Sequence, residues 1–195
     1  MTNGRNVKSE RVLAIDAHER SKDFLTEDEM KKLLLAAKKG RNGSRNHLII
    51  LMMYRHGLRV SEAISLKRSD VNLAQSRLWV KRLKNGLSVE QPIDGEELRA
   101  IKRYLASRTD MLPWLFISER QQALTRQSIN YIIKTAAKRT ETHDVHPHPL
   151  RHSCGYYLAN KGYELRLIQD YLGHRDPKHT VHYTRIASFR FEGLW

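Results

Sequence analysis

Residues 76–93 read SRLWVKRLKNGLSVEQPI. Two runs with inward positions at every second residue, Leu78 and Val80 in one and Leu87, Val89 and Gln91 in the other, flank Asn85-Gly86. Side chains that alternate with a period of two belong to a half-buried strand. Asn-Gly supplies the positive-φ backbone of a two-residue hairpin turn. The segment predicts a small antiparallel sheet at the domain edge.

On either side the apolar period becomes helical. Toward the N-terminus, Thr26-Glu27-Asp28-Glu29 has capping-box spacing, with Leu25 and Met30 set as its hydrophobic staple. It predicts a helix to about Lys39, with Met30, Leu33, Leu34 and Ala37 on one face and Gly40 as its stop. Arg45 to His56 reads as a buried helix ended by Gly57, and Val60 to Leu66 as a short one. Toward the C-terminus, Asp94 and Glu97 repeat the capping-box spacing before the stripe Leu98, Ile101 and Leu105. Thr125 caps a helix carrying Ile129, Ile132, Ile133 and Ala136. Pro149 suits the first turn of a helix running to Lys161. Glu164 to Leu172 follows, ended by Gly173, and Pro177 opens a last helix containing Tyr183. The fold class is mainly α with a small antiparallel β-sheet.

The 195 residues carry 35 Lys and Arg against 21 Asp and Glu, a formal net charge of +14. Such a chain attracts polyanions, nucleic acid first, because neutralising phosphates releases counterions. Hydrophobic residues at 40% and charged residues at 29% describe a globular chain. No apolar run reaches the roughly 20 residues that span a bilayer, and the N-terminus lacks the apolar centre of a signal peptide. No membrane association and a cytoplasmic, nucleoid-associated location are therefore expected. The single cysteine, Cys154, permits no internal disulfide and lies in an apolar helical stretch, which implies a buried structural thiol.

Several scattered groups suit one chemistry. His148 and Arg151 stand three apart on a helix's first turn and can face one point. Arg59 begins a helix, His174 follows a helix end, Tyr183 lies on the last helix and Lys84 adjoins the hairpin turn. In so basic a chain each has an ordinary reading alone: a solvated cation, a surface imidazole, a packed phenol. Together they match phosphoryl transfer at a phosphodiester. Two guanidiniums can hold the equatorial oxygens of its transition state. A phenol among cations can attack, and a hydroxyl leaving group needs a proton donor. No metal and no other cofactor is required.

The set Arg59 in GLRVSE, Lys84 in the hairpin, His148-x-x-Arg151, Leu172-Gly173-His174 and Tyr183, with its order and spacing, resembles that of the tyrosine recombinases (the lambda-integrase family) over roughly residues 24 to 190. RLKNGLSVEQPI and HPHPLRHSCGYYLANKG are most similar to the fimbrial phase-switch invertases of the FimB/FimE type. The resemblance implies the tyrosine recombinase catalytic-domain fold and a role for each residue. Tyr183 attacks the phosphate to form a 3′-phosphotyrosyl link and free a 5′-hydroxyl, without ATP. Arg59 and Arg151 clamp the non-bridging oxygens. Lys84 protonates the departing oxygen, with Lys81 and Arg82 as competitors for that role. His148 assists the tyrosine's proton, and His174 hydrogen-bonds the phosphate. Glu62 either orients Arg59 or is an exposed helix carboxylate. The implied partners are double-stranded DNA with inverted-repeat recombination sites, a homo-tetramer on that DNA, and accessory DNA-bending proteins.

Three other readings fit some of the same residues. Glu164 to Ile186 has the two helices and glycine turn of a helix-turn-helix, as in a non-catalytic transcription regulator. His143, His146, His148 and His152 cluster in sequence as a metal site would. A type IB topoisomerase would use a similar set to relax DNA. By segment, residues 1–24 read as a flexible arm, 25–187 as the catalytic domain, and 188–195 as a tail whose Phe189, Phe191, Leu194 and Trp195 suit packing on a neighbouring protomer.

Overall fold

A computed structural model describes residues 23–83, 85–140 and 145–185. Its elements are α1 (Glu27–Ala37), α2 (Gly43–Arg55), α3 (Val60–Ser65), a 3₁₀ turn (Arg68–Asp70), β1 (Val71–Asn72), β2 (Arg77–Val80), β3 (Val89–Pro92), α4 (Gly95–Ala106), α5 (Arg126–Lys138), α6 (Pro147–Asn160), α7 (Leu165–Leu172) and α8 (Lys178–Arg185). The protein is mainly α with one small antiparallel sheet, as its periodicities imply.

Helix α2 explains the layering. Its run from Leu48 to Met53 is buried on every side, and a helix that is apolar all round has to be enclosed. It packs against α1, α4 and α6. Helix α1 starts at the expected capping box: Thr26 N donates to Glu29 Oε2 at 2.7 Å and Glu29 N to Thr26 Oγ1 at 3.3 Å. Leu25 and Met30 are both buried beside it. A threonine cap recurs at α5, where Ser128 N donates to Thr125 Oγ1 at 3.1 Å and Ile129, Ile132, Ile133 and Ala136 face the core.

The sheet runs in the order β1-β2-β3 and is antiparallel throughout. Leu78 pairs with Gln91 and Val80 with Val89, which is the inward alternation read from the sequence. The edge strand β1, only two residues long, pairs Val71 with Leu78 and is too short to show a period. Asn85-Gly86 does not close a two-residue hairpin; the turn ends instead at Gly86, whose N donates to Leu83 O at 3.2 Å. The strands part at Val80 and rejoin at Val89, and Leu87 is 43% exposed in the connecting loop. Arg82 continues the inward alternation of Leu78 and Val80, but its side chain goes to Glu62 and to helix-end carbonyls; Asn85 takes a positive φ of 61°.

Two further expectations are corrected. Asp94 makes no capping hydrogen bond because Arg55 Nη1 takes its carboxylate at 2.9 Å, while Glu97 turns inward to His56 Nε2 at 2.7 Å. Helix α6 begins at Pro147, two residues before Pro149, with His146 as its N-cap. A proline fits either position, because the first turn's N–H groups have no partner within the helix.

Apolar side chains form two clusters. The larger joins α1 to α5 and the sheet to Leu150 at the start of α6. The smaller gathers Cys154, Tyr156 and Ala159 of α6, Ile168 and Leu172 of α7, and Tyr183 of α8. Helix α7 ends in Gly173 with φ +69°, and a Cβ there would lie 2.5 Å from the Leu87 carbonyl oxygen. Gly173→Ala is expected to lower stability by at least about 1–2 kcal/mol, the usual cost of left-handed backbone for a residue with a side chain. Chemical denaturation reads this directly, and a variant within about 0.5 kcal/mol of the parent contradicts it.

Candidate active site

Five of the six residues singled out from the sequence line one open cavity of about 720 Å³: Arg59, His148, Arg151, His174 and Tyr183. Lys84 lies outside the described residues, as does His143 of the histidine cluster. Arg126, Asn130, Lys178, His179 and His182 also line the cavity. Their positions on α5 and α8 carry no motif, and only the positive charge of this region hints at them.

The cavity floor is built on Glu62. This residue is 2% exposed on α3. Its Oε2 accepts from the Arg59 backbone N–H at 2.9 Å and its Oε1 from the Arg59 guanidinium at 2.7 Å. Arg82 Nη1 donates to Oε2 at 3.0 Å, and Arg151 Nη1 stands 4.0 Å from the same oxygen. Burial alone would raise the Glu62 pKa. The adjacent Arg82 and the bonds from Arg59 outweigh it and hold the carboxylate below its ordinary value. Glu62 is thus an interior anion beneath three guanidiniums, not an exposed helix carboxylate.

Arg151 is 4% exposed and donates to the carbonyls of Gly57 and, at 2.8 Å, Leu172. Burial and the neighbouring Arg82 and Arg59 lower its pKa to about 10. A bound anion would relieve that crowding of positive charge. Arg59 is less enclosed, with its side chain 32% exposed toward the cavity.

His174 follows the α7 terminus. Its Nδ1 shares a hydrogen bond with Thr180 Oγ1 at 2.8 Å, and Gln169 Nε2 donates to its carbonyl at 3.0 Å. Burial, with Arg151 and Arg59 nearby, lowers its pKa to about 3, so the ring is neutral. If Nδ1 accepts from the threonine hydroxyl, the ring proton sits on Nε2 and can be donated. His148 and His152 meet with Nε2 atoms 2.6 Å apart.

Tyr183 is 1% exposed. Its ring lies against α6 at Gly155, where a Cβ would come within 2.6 Å of the phenol carbon Cζ. The rings of His182 and Tyr156 pack on it at 3.9 and 5.2 Å, and His174 lies parallel at 6.4 Å. Among the described residues its hydroxyl takes no hydrogen bond. Burial raises its pKa and Arg151 opposes this. The phenol is stowed at the cavity floor, not poised over it.

Of the competing hairpin cations, Arg82 is consumed by the interior and Lys81 is exposed. Cys154 is buried, its thiol pushed up to about 12 by burial. Among the described residues no three His, Cys, Asp or Glu side chains gather as metal ligands would, and no helix is long and apolar enough to cross a membrane.

A family model described as the phage integrase family matches residues 23–189. The chain belongs to the phage integrase family. It is a tyrosine recombinase by kinship as well as by architecture. It is 41% identical over 184 residues to the type 1 fimbriae regulatory protein FimB of Escherichia coli (strain K12), covering 92% of each chain. It is 42% identical over 178 residues to FimE of the same strain, covering 88% of this chain and 90% of that one. Among solved structures, a XerA recombinase superposes with a TM-score of 0.77 at 28% identity, over 88% of this chain and 66% of that one.

Removing the buried anion should be costly. Glu62→Gln leaves three guanidiniums without their counter-charge and is expected to destabilise the fold by about 3 kcal/mol or more. Because the folded-state pKa of Glu62 is depressed, its contribution is complete above the unfolded carboxylate value and is lost as pH falls through the folded one. Acid titration of stability should therefore be shallower for Glu62→Gln than for the parent. Equal slopes would contradict this role.

Proposed function

We propose that this recombinase cuts and rejoins double-stranded DNA at inverted-repeat sites through a 3′-phosphotyrosyl bond to Tyr183, inverting a DNA segment for fimbrial phase variation. The observation that carries the reading is the convergence of Arg59, His148, Arg151, His174 and Tyr183 on one cationic cavity. The likeness to two fimbrial regulatory proteins along most of their length supports the biological setting.

The chemistry follows from the side chains. Arg59 and Arg151 take the non-bridging oxygens of the scissile phosphate, with Glu62 holding both forks from below. His174, neutral and fixed through Thr180, donates to a phosphate oxygen. The Tyr183 oxygen forms the bond to phosphorus as the bond to the 5′ oxygen breaks. His148 receives the phenol proton, and Lys84 gives a proton to the departing 5′ oxygen. The phosphotyrosyl ester keeps the energy of the broken bond, so ligation reverses cleavage without ATP.

Because the phenol is stowed, α8 has to shift before attack. DNA supplies the reason: a phosphate held among Arg59, Arg151 and His174 offers its phosphorus to the phenol oxygen, which can reach it in line only outside the closed seat. Exchange needs four cleavages, so four protomers act on two sites. The segment 188–195 lies outside the described residues; its packing on a neighbouring protomer, help from DNA-bending proteins at synapsis and work in the cytoplasm on the nucleoid complete this reading.

A duplex nicked beside the cleavage site traps the covalent state. Denaturation should leave an adduct, mass spectrometry should map it to Tyr183, and EDTA should not diminish it. Tyr183→Phe should bind DNA and give no adduct. Arg151→Ala should slow adduct formation by about 10²–10³-fold, as loss of one preorganised donor does. Binding without any adduct would leave a helix-turn-helix DNA binder instead. Deleting 188–195 should impair recombination more than DNA binding, and an unchanged recombination rate counts against exchange of the tail.

A further inference from the structure

Arg82 lies two residues before Lys84, in the loop that joins β2 to β3. Its side chain is 0% exposed. It donates to Gly57 O at 3.1 Å, Glu62 Oε2 at 3.0 Å, His56 O at 2.8 Å and Tyr171 O at 2.7 Å. Taking a guanidinium out of water is costly unless its donors find acceptors. Here the acceptors come from the α2 terminus, α3 and the α7 terminus, so one loop side chain ties itself to three helices.

Among the described residues, the rest of the loop is held by single backbone bonds: Arg82 N donates to Ser88 Oγ at 3.1 Å and Gly86 N to Leu83 O at 3.2 Å. Leu83 N donates to Glu62 Oε1 and Leu87 N to Gly173 O, both at 3.2 Å, and Leu87 and Ser88 are exposed. The phosphate clamp does not depend on Arg82 in this way. Arg59 makes two bonds of its own to Glu62, and Arg151 donates to Gly57 O and Leu172 O. Loss of Arg82 therefore removes the loop's anchor and leaves Arg59 and Arg151 the bonds that they make themselves.

We propose that Arg82 is a positioning residue for proton donation: it locks the root of the 81–88 loop into the cavity floor and so holds Lys84 beside the departing 5′ oxygen. The inference rests on Lys84 being the proton donor. In the step concerned, the phosphorus–oxygen bond to the 5′ carbon's oxygen breaks, the bond to Tyr183 forms, and the Lys84 ammonium transfers one proton to the leaving alkoxide.

The test uses two nicked duplexes, one ordinary and one with sulfur replacing the 5′-bridging oxygen. A thiolate leaves without a proton, so sulfur restores only what proton donation lacks. Lys84→Ala and Arg82→Lys should each cleave the ordinary duplex at least ~30-fold more slowly than the parent, within the range of general-acid effects. On the sulfur duplex both should return to within about threefold of it. Gly86→Ala reaches the same loop without touching the buried charge, since its Cβ would lie 2.8 Å from Arg82 Cβ and 3.1 Å from Gly173 O. It should show a smaller deficit that sulfur also erases, and it decides the matter if Arg82→Lys fails to fold.

If Lys84→Ala recovers on sulfur while Arg82→Lys, or Gly86→Ala in its place, stays slow, Arg82 does not act through the lysine and the proposal is overturned. Undiminished cleavage of the ordinary duplex by these loop variants overturns it as well. If Lys84→Ala does not recover, the assignment of the proton donor fails, and this inference with it.

Discussion

A carboxylate shared among three guanidiniums is the constraint around which this domain is arranged. Left alone, Arg59, Arg82 and Arg151 would repel one another and seek water. Glu62, sealed in α3, gives them one counter-charge from below. The two that face the cavity keep donors for a ligand, and the third seals the floor. Such buried pairs add little to stability compared with apolar packing of equal volume. What they give here is geometry, because a forked donor anchored at its base approaches a tetrahedral anion from a set direction.

The surrounding fold keeps that floor stiff. Helix α2, enclosed on all sides, ends at His56 and Gly57, and their carbonyls accept from Arg82 and Arg151. His56 is held in turn between Gln91 of β3 and Glu97 of α4 at 2.7 Å each. Apolar packing of the main core thus reaches the cavity through a short chain of hydrogen bonds, with few rotatable links between them.

Much of this was legible from residue order, because the site's chemistry needs rare combinations at particular spacings. His148-x-x-Arg151 and Leu172-Gly173-His174 can be read without coordinates, and so can the capping box at Thr26. Local signals failed where a distant partner outbid a near one. Asn85-Gly86 reads as a two-residue hairpin, yet the ladder stops at Val80 and Val89 while Arg82 between them finds four interior acceptors. Asp94 reads as a cap, yet Arg55 claims it from another helix. Nothing in KRLK distinguishes the buried Arg82 from the exposed Lys81, since the difference lies in carbonyls contributed by α2 and α7. Gly155 passes as an ordinary helix glycine until the ring of Tyr183 is seen resting on it.

That resting place gives Tyr183 a structural job besides the chemistry proposed for it. Among the described side chains of α8, Tyr183 is the one that enters an apolar cluster. Burying a large side chain stabilises by roughly 2–3 kcal/mol, so the phenol is also the peg that keeps its helix seated. Withdrawing it unpins α8 in the same movement. Under the proposed chemistry, freeing the phenol and unseating α8 are then one event.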